Sequence, residues 1–345
     1  MVKARVRLGA LATGVVLALS ACGGGGGSSN EAVDGDWDEV VAAANEEGSV
    51  LLYSSHNPVN LEALKAAFEA EYPDITMEFV RGTDAELNPK VEVENQTGQG
   101  AADVHMVTDR AWINSAIETG AYSEKLRGPE FETENYQSED MVLDDTFALM
   151  SIAVFGLGWN TNGYPAGLED VPDVLDPKLD GKIGIVNPAG IAVYVDLYRY
   201  LEDTYGEDFL TDLADLNPRI YPSALGIAQA LTSGEIAAAP IVSPLVNDIA
   251  AGAPVDFQLA PKPWGAPWYT HVLSAAAHPN AAQVLANFMA TEAGQTALSA
   301  GYGSTLPDIE GAIATADDVT LADSADLSPE DVAEYTAKFE ELFVN

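Results

Sequence analysis

Cys22 is the only thiol in 345 residues. No disulfide can form within the chain, and thiol chemistry has one place to occur. Cations are scarce: 15 Lys plus Arg stand against 54 Asp plus Glu, a formal net charge of −39. A surface this negative repels phosphate backbones and anionic headgroups, which argues against nucleic acid as a partner. Long apolar runs are missing as well. Residues 8–19 form an apolar run of 12, too short to span a bilayer, and no other stretch reaches spanning length. The four histidines, His56, His105, His271 and His278, lack metal-ligand spacing. No Gly-x-Ser-x-Gly elbow, His-Glu-x-x-His pair or glycine-rich phosphate loop occurs, so nothing points to an enzyme. The acidic pairs Asp144-Asp145 and Glu202-Asp203 read as solvated faces.

What is present begins with an export pattern. Lys3, Arg5 and Arg7 precede the apolar run, and Leu19-Ser20-Ala21-Cys22 follows it. That tetrapeptide resembles the lipobox of bacterial lipoproteins. The resemblance implies a signal peptide over residues 1–21, lipid attachment at Cys22 and a membrane anchor outside the cytoplasm. Without those 21 residues the balance is 12 Lys plus Arg against 54 Asp plus Glu, a net of −42. Residues 22–36, opening with five glycines and two serines after Cys22, read as a flexible tether with a mean reach of roughly 20 Å.

Beyond the tether, strand, polar loop and helix recur three times. Residues 50–53 are apolar and suit a buried strand; Ser54, Ser55, His56 and Asn57 are all hydrogen-bonding, and Asn57-Pro58 suits a helix cap and first position. Residues 76–81 alternate as a strand before Gly82-Thr83-Asp84, and residues 103–107 precede Thr108-Asp109-Arg110. The pattern predicts an α/β protein whose parallel sheet carries its loops, and its ligand, along one edge. A long apolar strand is expected over 147–157, and further strands over 182–186, 236–242 and 255–259. Residues 261–269, with Pro261, Pro263, Pro267, Trp264, Trp268 and Tyr269, read as a stiff aromatic connection before a return at 273–277. An amphipathic helix closes the chain over 329–343.

Several segments, in order, resemble the ferric-iron type of ABC-importer solute-binding proteins. They are Val50-Leu-Leu-Tyr-Ser-Ser, Ala67-Phe-Glu-Ala-Glu-Tyr-Pro-Asp-Ile, Ala102-Asp-Val and Gly158-Trp-Asn-Thr-Asn. Asp176-Pro-Lys-Leu-Asp-Gly-Lys-Ile-Gly-Ile, Asn187-Pro, His278-Pro-Asn-Ala-Ala and Glu292-Ala-Gly-Gln continue the series. The resemblance implies a type II periplasmic binding protein: two α/β lobes joined by a hinge around an interlobe cleft. It implies lobe one from 37–150 and 271–345, lobe two from 151–270, and crossings near 147–160 and 261–273. It further implies a monomer that binds a small-molecule solute and delivers it to an ABC permease and its ATPase, with no cofactor and no reaction. A subunit presenting its liganded form to a membrane receptor would use the same closure.

The expected ligand-binding set is Ser54, Ser55, His56, Thr83, Thr108, Asp109, Arg110, Gly190, Tyr194, Ser243, Trp268 and Tyr269. Ferric members of the resembled family hold iron with adjacent tyrosines from lobe two, often with a histidine where His56 stands. No tyrosine occurs in Pro240-Ile-Val-Ser-Pro-Leu, where the pair is expected, so no metal site is assigned. Hydroxyls, helix N-termini and Arg110 suit a small organic anion such as a phosphonate, phosphate ester or carboxylate. The alternatives are ferric iron, or a polyamine held by Asp84, Asp109, Trp268 and Tyr269. Tyr194 and Tyr198 lie on a helical stripe that equally suits core packing.

Overall fold

The computed structural model describes residues 32–344. The expected signal peptide, Cys22 and most of the expected tether lie outside the described residues. Among the described residues no helix is long and apolar enough to cross a membrane.

Local signals set most element boundaries. Asp36 caps the Trp37–Glu47 helix by accepting from the Glu39 N–H, and Gly48 closes it in the left-handed conformation that glycine adopts without strain. Asn57 caps the Pro58–Glu71 helix with proline at its first position. Ser328 and Asp331 form a capping box at the start of the Pro329–Phe343 helix.

Strand directions decide how the molecule is built. The Ser49–Ser54 strand pairs in parallel with both Thr76–Arg81 and Val104–Val107, so the loops after all three emerge at one edge. The Trp264–Leu273 strand is antiparallel to Val104–Val107 and to Phe147–Asn160. The Phe147–Asn160 strand therefore leaves the first lobe through the same edge that carries the loops. Its far end pairs antiparallel with Ala238–Val242 and Val255–Gln258. Gly184–Val186 runs parallel to Arg219–Tyr221, and Ile183 bridges in parallel to Ala238. The second set of strands thus points its carboxyl ends back at the first. Two loop-bearing edges face each other across the two shared strands, which is the two-lobe α/β arrangement with a hinge and a cleft.

Two main cores match the two lobes. Val50, Leu52, Leu64, Phe68, Met106, Met150 and Phe288 belong to one. Leu157, Ile183, Val195, Leu213, Ile227 and Val242 belong to the other. The opposite face of the first sheet is covered separately by Val107, Ile113, Phe147, Leu149 and Tyr269. Side chains alternate across the strand, so Trp268 packs on one face and Tyr269 on the other.

The resembling segments turn out to be fasteners. Asp103, fully buried, accepts from the Leu51 N–H at 2.8 Å, the His278 N–H at 2.8 Å and His278 Nδ1 at 3.1 Å. Asn160 donates to the Leu231 carbonyl and accepts from the Asn162 and Gly163 N–H groups. Gln295 donates to the Met150 and Met289 carbonyls and accepts from Thr305 N–H and Ser304 Oγ. The glycines beside them are close approaches: a Cβ at Gly158 would lie 2.5 Å from Val242 Cγ1, and one at Gly294 would lie 2.1 Å from the Phe288 carbonyl oxygen.

Two expectations change. Residues 264–273 are a buried ten-residue strand, where a stiff aromatic connection over 261–269 was expected. Pro267 is tolerated because it falls between the stretch paired with Thr320–Leu321 and the stretch paired with Val104–Val107, where that side of the strand has no neighbour. The chain also returns to the second core. Phe339 packs its ring 5.2 Å from that of Tyr198, and Tyr335 and Lys338 both donate to Glu202. The Pro329–Phe343 helix therefore packs on the second lobe, where the expectation put all of 271–345 in the first.

Candidate functional site

The loops carrying the expected ligand residues all lie on the two facing edges, but their side chains divide into distinct groups. In the first loop Ser54 and His56 are fully buried. Ser54 Oγ accepts from the His56 N–H at 3.1 Å, a local turn bond. The His56 ring lies 4.3 Å from Trp268 and 4.6 Å from Tyr302, centroid to centroid. Its Nδ1 accepts from the Asn57 N–H at 2.8 Å and its Nε2 meets Ser151 Oγ at 3.1 Å. Burial lowers its pKa to about 3, so the ring is neutral. Both ring nitrogens of His56, expected to face the ligand, are engaged within the protein, and the ring ties the loop to Ser151 and Trp268. Trp268 is also committed, donating Nε1–H to Ser55 Oγ at 3.0 Å.

The second and third loops are sewn together by Asp84. Its Oδ2 accepts from the Thr108 N–H at 2.9 Å, the Thr108 hydroxyl at 2.6 Å and the Asp109 N–H at 2.9 Å. Thr83 is exposed and gives its hydroxyl to Glu86 in a capping box. Asp109 caps the Arg110–Thr119 helix. Arg110 lies over the Tyr269 ring, 5.3 Å from its centroid, and its Nη1 is buried without a partner among the described residues. Arg110, Tyr269, Ser138, Asp140, Val319 and Asp323 line a cavity of about 440 Å³ beside the hinge. Tyr269 is buried and donates to the Asp140 carbonyl at 3.1 Å; burial, ahead of nearby charge, raises its pKa. Trp268 and Tyr269, expected to stack on a cationic ligand, are both buried, Trp268 against His56 and Tyr302 and Tyr269 under Arg110. A larger cavity, about 1140 Å³, lies on the flank by Trp37, Arg127 and Asp145 and contains none of the expected residues.

On the opposing edge Gly190 is exposed with φ 73°. The Ala192–Tyr205 helix that follows has Ile191 at its cap position and no side-chain bond to its first N–H groups. Tyr194 is half-buried, burial raising its hydroxyl pKa, and Tyr198 is core. Ser243 is half-buried at the end of the Ala238–Val242 strand.

One residue was missed. Arg81 ends the Thr76–Arg81 strand in register with Ser54 and is exposed at the cleft edge. Its Nε donates to the His56 carbonyl at 3.1 Å, which aims the rest of the guanidinium. It forms no ion pair with a described residue, and neither do Arg110, Arg127, Lys182, Arg199 and Lys262. Its place as the last residue of a predicted strand was the signal available. Among the described residues no group of three or more His, Cys, Asp or Glu is placed to hold a metal.

Two lobes on shared strands, with loops facing across the gap, are the fold of the type II periplasmic binding proteins. The family model described as bacterial extracellular solute-binding protein matches residues 63–326, and the chain belongs to that family. Members bind solutes for ABC transporters, working with a permease and an ATPase, and are not enzymes. No curated protein sequence matches the chain. Solved structures with the same fold include the substrate-binding protein of an ABC transporter from Agrobacterium tumefaciens, at TM-score 0.69 and 13% identity over 86% of this chain and 94% of that one. The periplasmic binding protein AfuA from Actinobacillus pleuropneumoniae, with fructose-6-phosphate bound, has TM-score 0.64 and 19% identity over 86% and 98% of the two chains. Iron-bound HitA from Pseudomonas aeruginosa has TM-score 0.62 and 18% identity over 86% and 99%. At these identities the likeness is one of fold.

Proposed function

We propose that the protein captures a small organic anion, of the phosphonate, phosphate ester or carboxylate class, between its lobes. The observation that carries this reading is Arg81, held by the His56 carbonyl at the cleft edge and unpaired in a chain where acids outnumber cations 54 to 15. Such a guanidinium has charge-assisted donors to spare for an oxyanion. The uncapped N-terminus of the Ala192–Tyr205 helix on the facing edge supports it, since free N–H groups and the helix dipole favour negative charge. Ferric iron fits less well: the ring nitrogens of His56 are both spent, and the tyrosine pair is missing. AfuA shows that one protein of this fold takes a sugar phosphate.

In this reading residues 37–150 and 271 to about 327 form lobe one, and 151–270 with the C-terminal helix form lobe two. The monomer is anchored through lipidated Cys22 on the outer side of the cell membrane. Calorimetry of the full chain with a panel of phosphate esters, phosphonates, carboxylates, polyamines and ferric citrate tests it. An anion should bind, and Arg81→Ala should weaken that binding about 10- to 100-fold, the worth of a hydrogen bond to a charged group. Binding of amines or iron alone, or an anion affinity untouched by Arg81→Ala, refutes it.

A further inference from the structure

The second lobe meets the cleft through three strand-to-helix junctions of one composition. Gly184–Val186 runs into Asn187-Pro188, Arg219–Tyr221 into Pro222-Ser223, and Ala238–Val242 into Ser243-Pro244. The strands are parallel neighbours, so at the usual interstrand spacing their ends span about 10 Å of the edge. Each junction exposes an aliphatic side chain where its helix begins. Ile191 caps Ala192–Tyr205, Leu225 is second in Ala224–Ser233, and Val246 is first in Val246–Ala250. Within 151–270 the exposed large hydrophobic residues are these three and Ile249, one turn along the third helix. Helical Cα–Cβ bonds tilt toward the N-terminus, so Leu225 and Val246 lean past their helix ends toward the cleft.

Polar side chains of the same junctions are spent locally. Asn187 Oδ1 accepts from the Ala189 N–H at 2.9 Å, Ser223 Oγ accepts from the Gly226 N–H at 3.2 Å, and the prolines have no N–H to offer. On the first lobe's edge Val59, 71% exposed, holds the same helix-start position, among Ser55, Thr83, Thr108 and Arg81. Single exposed aliphatics are ordinary, but a row of them confined to one edge with polar neighbours marks a binding surface. Because the family binds small solutes, the occupant we assign is the solute itself. We infer that Ile191, Leu225 and Val246 form an apolar wall for the uncharged body of the solute, which is therefore an amphiphile: an alkyl- or aryl-bearing anion, not a polyhydroxylated one. A sugar-like body would leave its hydroxyls without partners against this wall, whereas an alkyl body leaves water with no polar loss. The inference rests on the anion reading for the head of the solute only; the wall is independent of the sign of that charge.

Calorimetry of the full chain with straight-chain alkylphosphonates from methyl to hexyl, beside alkylamines of the same lengths, tests the wall. Phosphonate affinity should rise about three- to four-fold per methylene. Leu225→Ser combined with Val246→Ser, both at exposed positions outside the packed core, should flatten that dependence. Val93→Ser is the control: it removes an equally exposed valine about 14 Å along the Asp84–Thr97 helix from its start, and the dependence should persist. Phosphonates that bind with a flat or falling dependence overturn the wall while leaving the Arg81 reading standing; the aliphatic row would then belong to the surface met by the permease. A dependence that survives the double variant also overturns it. Amines that bind with a rising dependence that the double variant flattens, with no phosphonate binding, keep the wall and overturn the anion reading instead. Binding of neither series overturns both.

Discussion

Lowering the pH should destabilise this protein through histidines that the fold keeps neutral. His56, His105 and His271 are all fully buried. His105 Nδ1 meets His271 Nε2 at 3.1 Å, His271 Nδ1 meets Ser123 Oγ at 2.8 Å, and His105 Nε2 has no partner among the described residues. Burial lowers the pKa of His56 and of His105 to about 3, and that of His271 well below its usual value, with His105 adding to the last. In the unfolded chain each ring titrates near its usual value of about 6.5. Between those limits the unfolded state holds protons that the folded state refuses. Stability is therefore complete above about pH 6.5 and falls as pH drops toward 3, by about 1.4 kcal/mol per pH unit per ring. At about pH 5 that amounts to about 2 kcal/mol for each ring. His56 and His105 together lose about 4 kcal/mol, with His271 acting in the same direction, against typical domain stabilities of 5–15 kcal/mol. Urea unfolding followed by tryptophan fluorescence between about pH 7.5 and 5 measures the loss. Protonation of the many carboxylates relieves repulsion in the same range, so the informative quantity is the difference from His56→Gln and His105→Gln. Each variant should lose about 2 kcal/mol less than the parent over that interval. Equal losses in parent and variants would show that these rings titrate freely in the folded state, and would refute the reasoning.

Three further outcomes follow from particular contacts. Asp103→Ala strands the Leu51 and His278 N–H groups and should cost about 3–5 kcal/mol in urea unfolding, whereas Asp103→Asn, which keeps one acceptor, should cost less. His56→Ala should lower the melting temperature by opening space between Trp268 and Tyr302, in contrast to Arg81→Ala, which should leave stability within about 0.5 kcal/mol. Cys22→Ala should move the protein from the membrane fraction to the medium or periplasm; retention in the membrane would refute lipid attachment at that residue.

Local chemistry made much of the fold legible. Asn57-Pro58 and Gly48 mark helix ends by which backbone groups they satisfy or which φ they permit, and those causes act within a few residues. Strand–loop–helix repetition likewise announced a parallel sheet with its loops along one edge, because buried strands must be apolar while the loops that end them must be polar. Pro267 misled because its tolerance depends on which neighbours flank that point of the strand, information held more than fifty residues away.

Side-chain direction was decided only by tertiary structure. His56 reads as a ligand in the sequence, but packing from Trp268, Tyr302 and Ser151 turns it inward and strips its charge. Arg81 is in the sequence only the last residue of an expected strand, but the His56 carbonyl holds its guanidinium. The sequence by itself determined which loops meet at the cleft, through strand order and polarity. The tertiary structure determined which side chains in those loops remain free, because burial and hydrogen bonding are settled by residues distant in the chain.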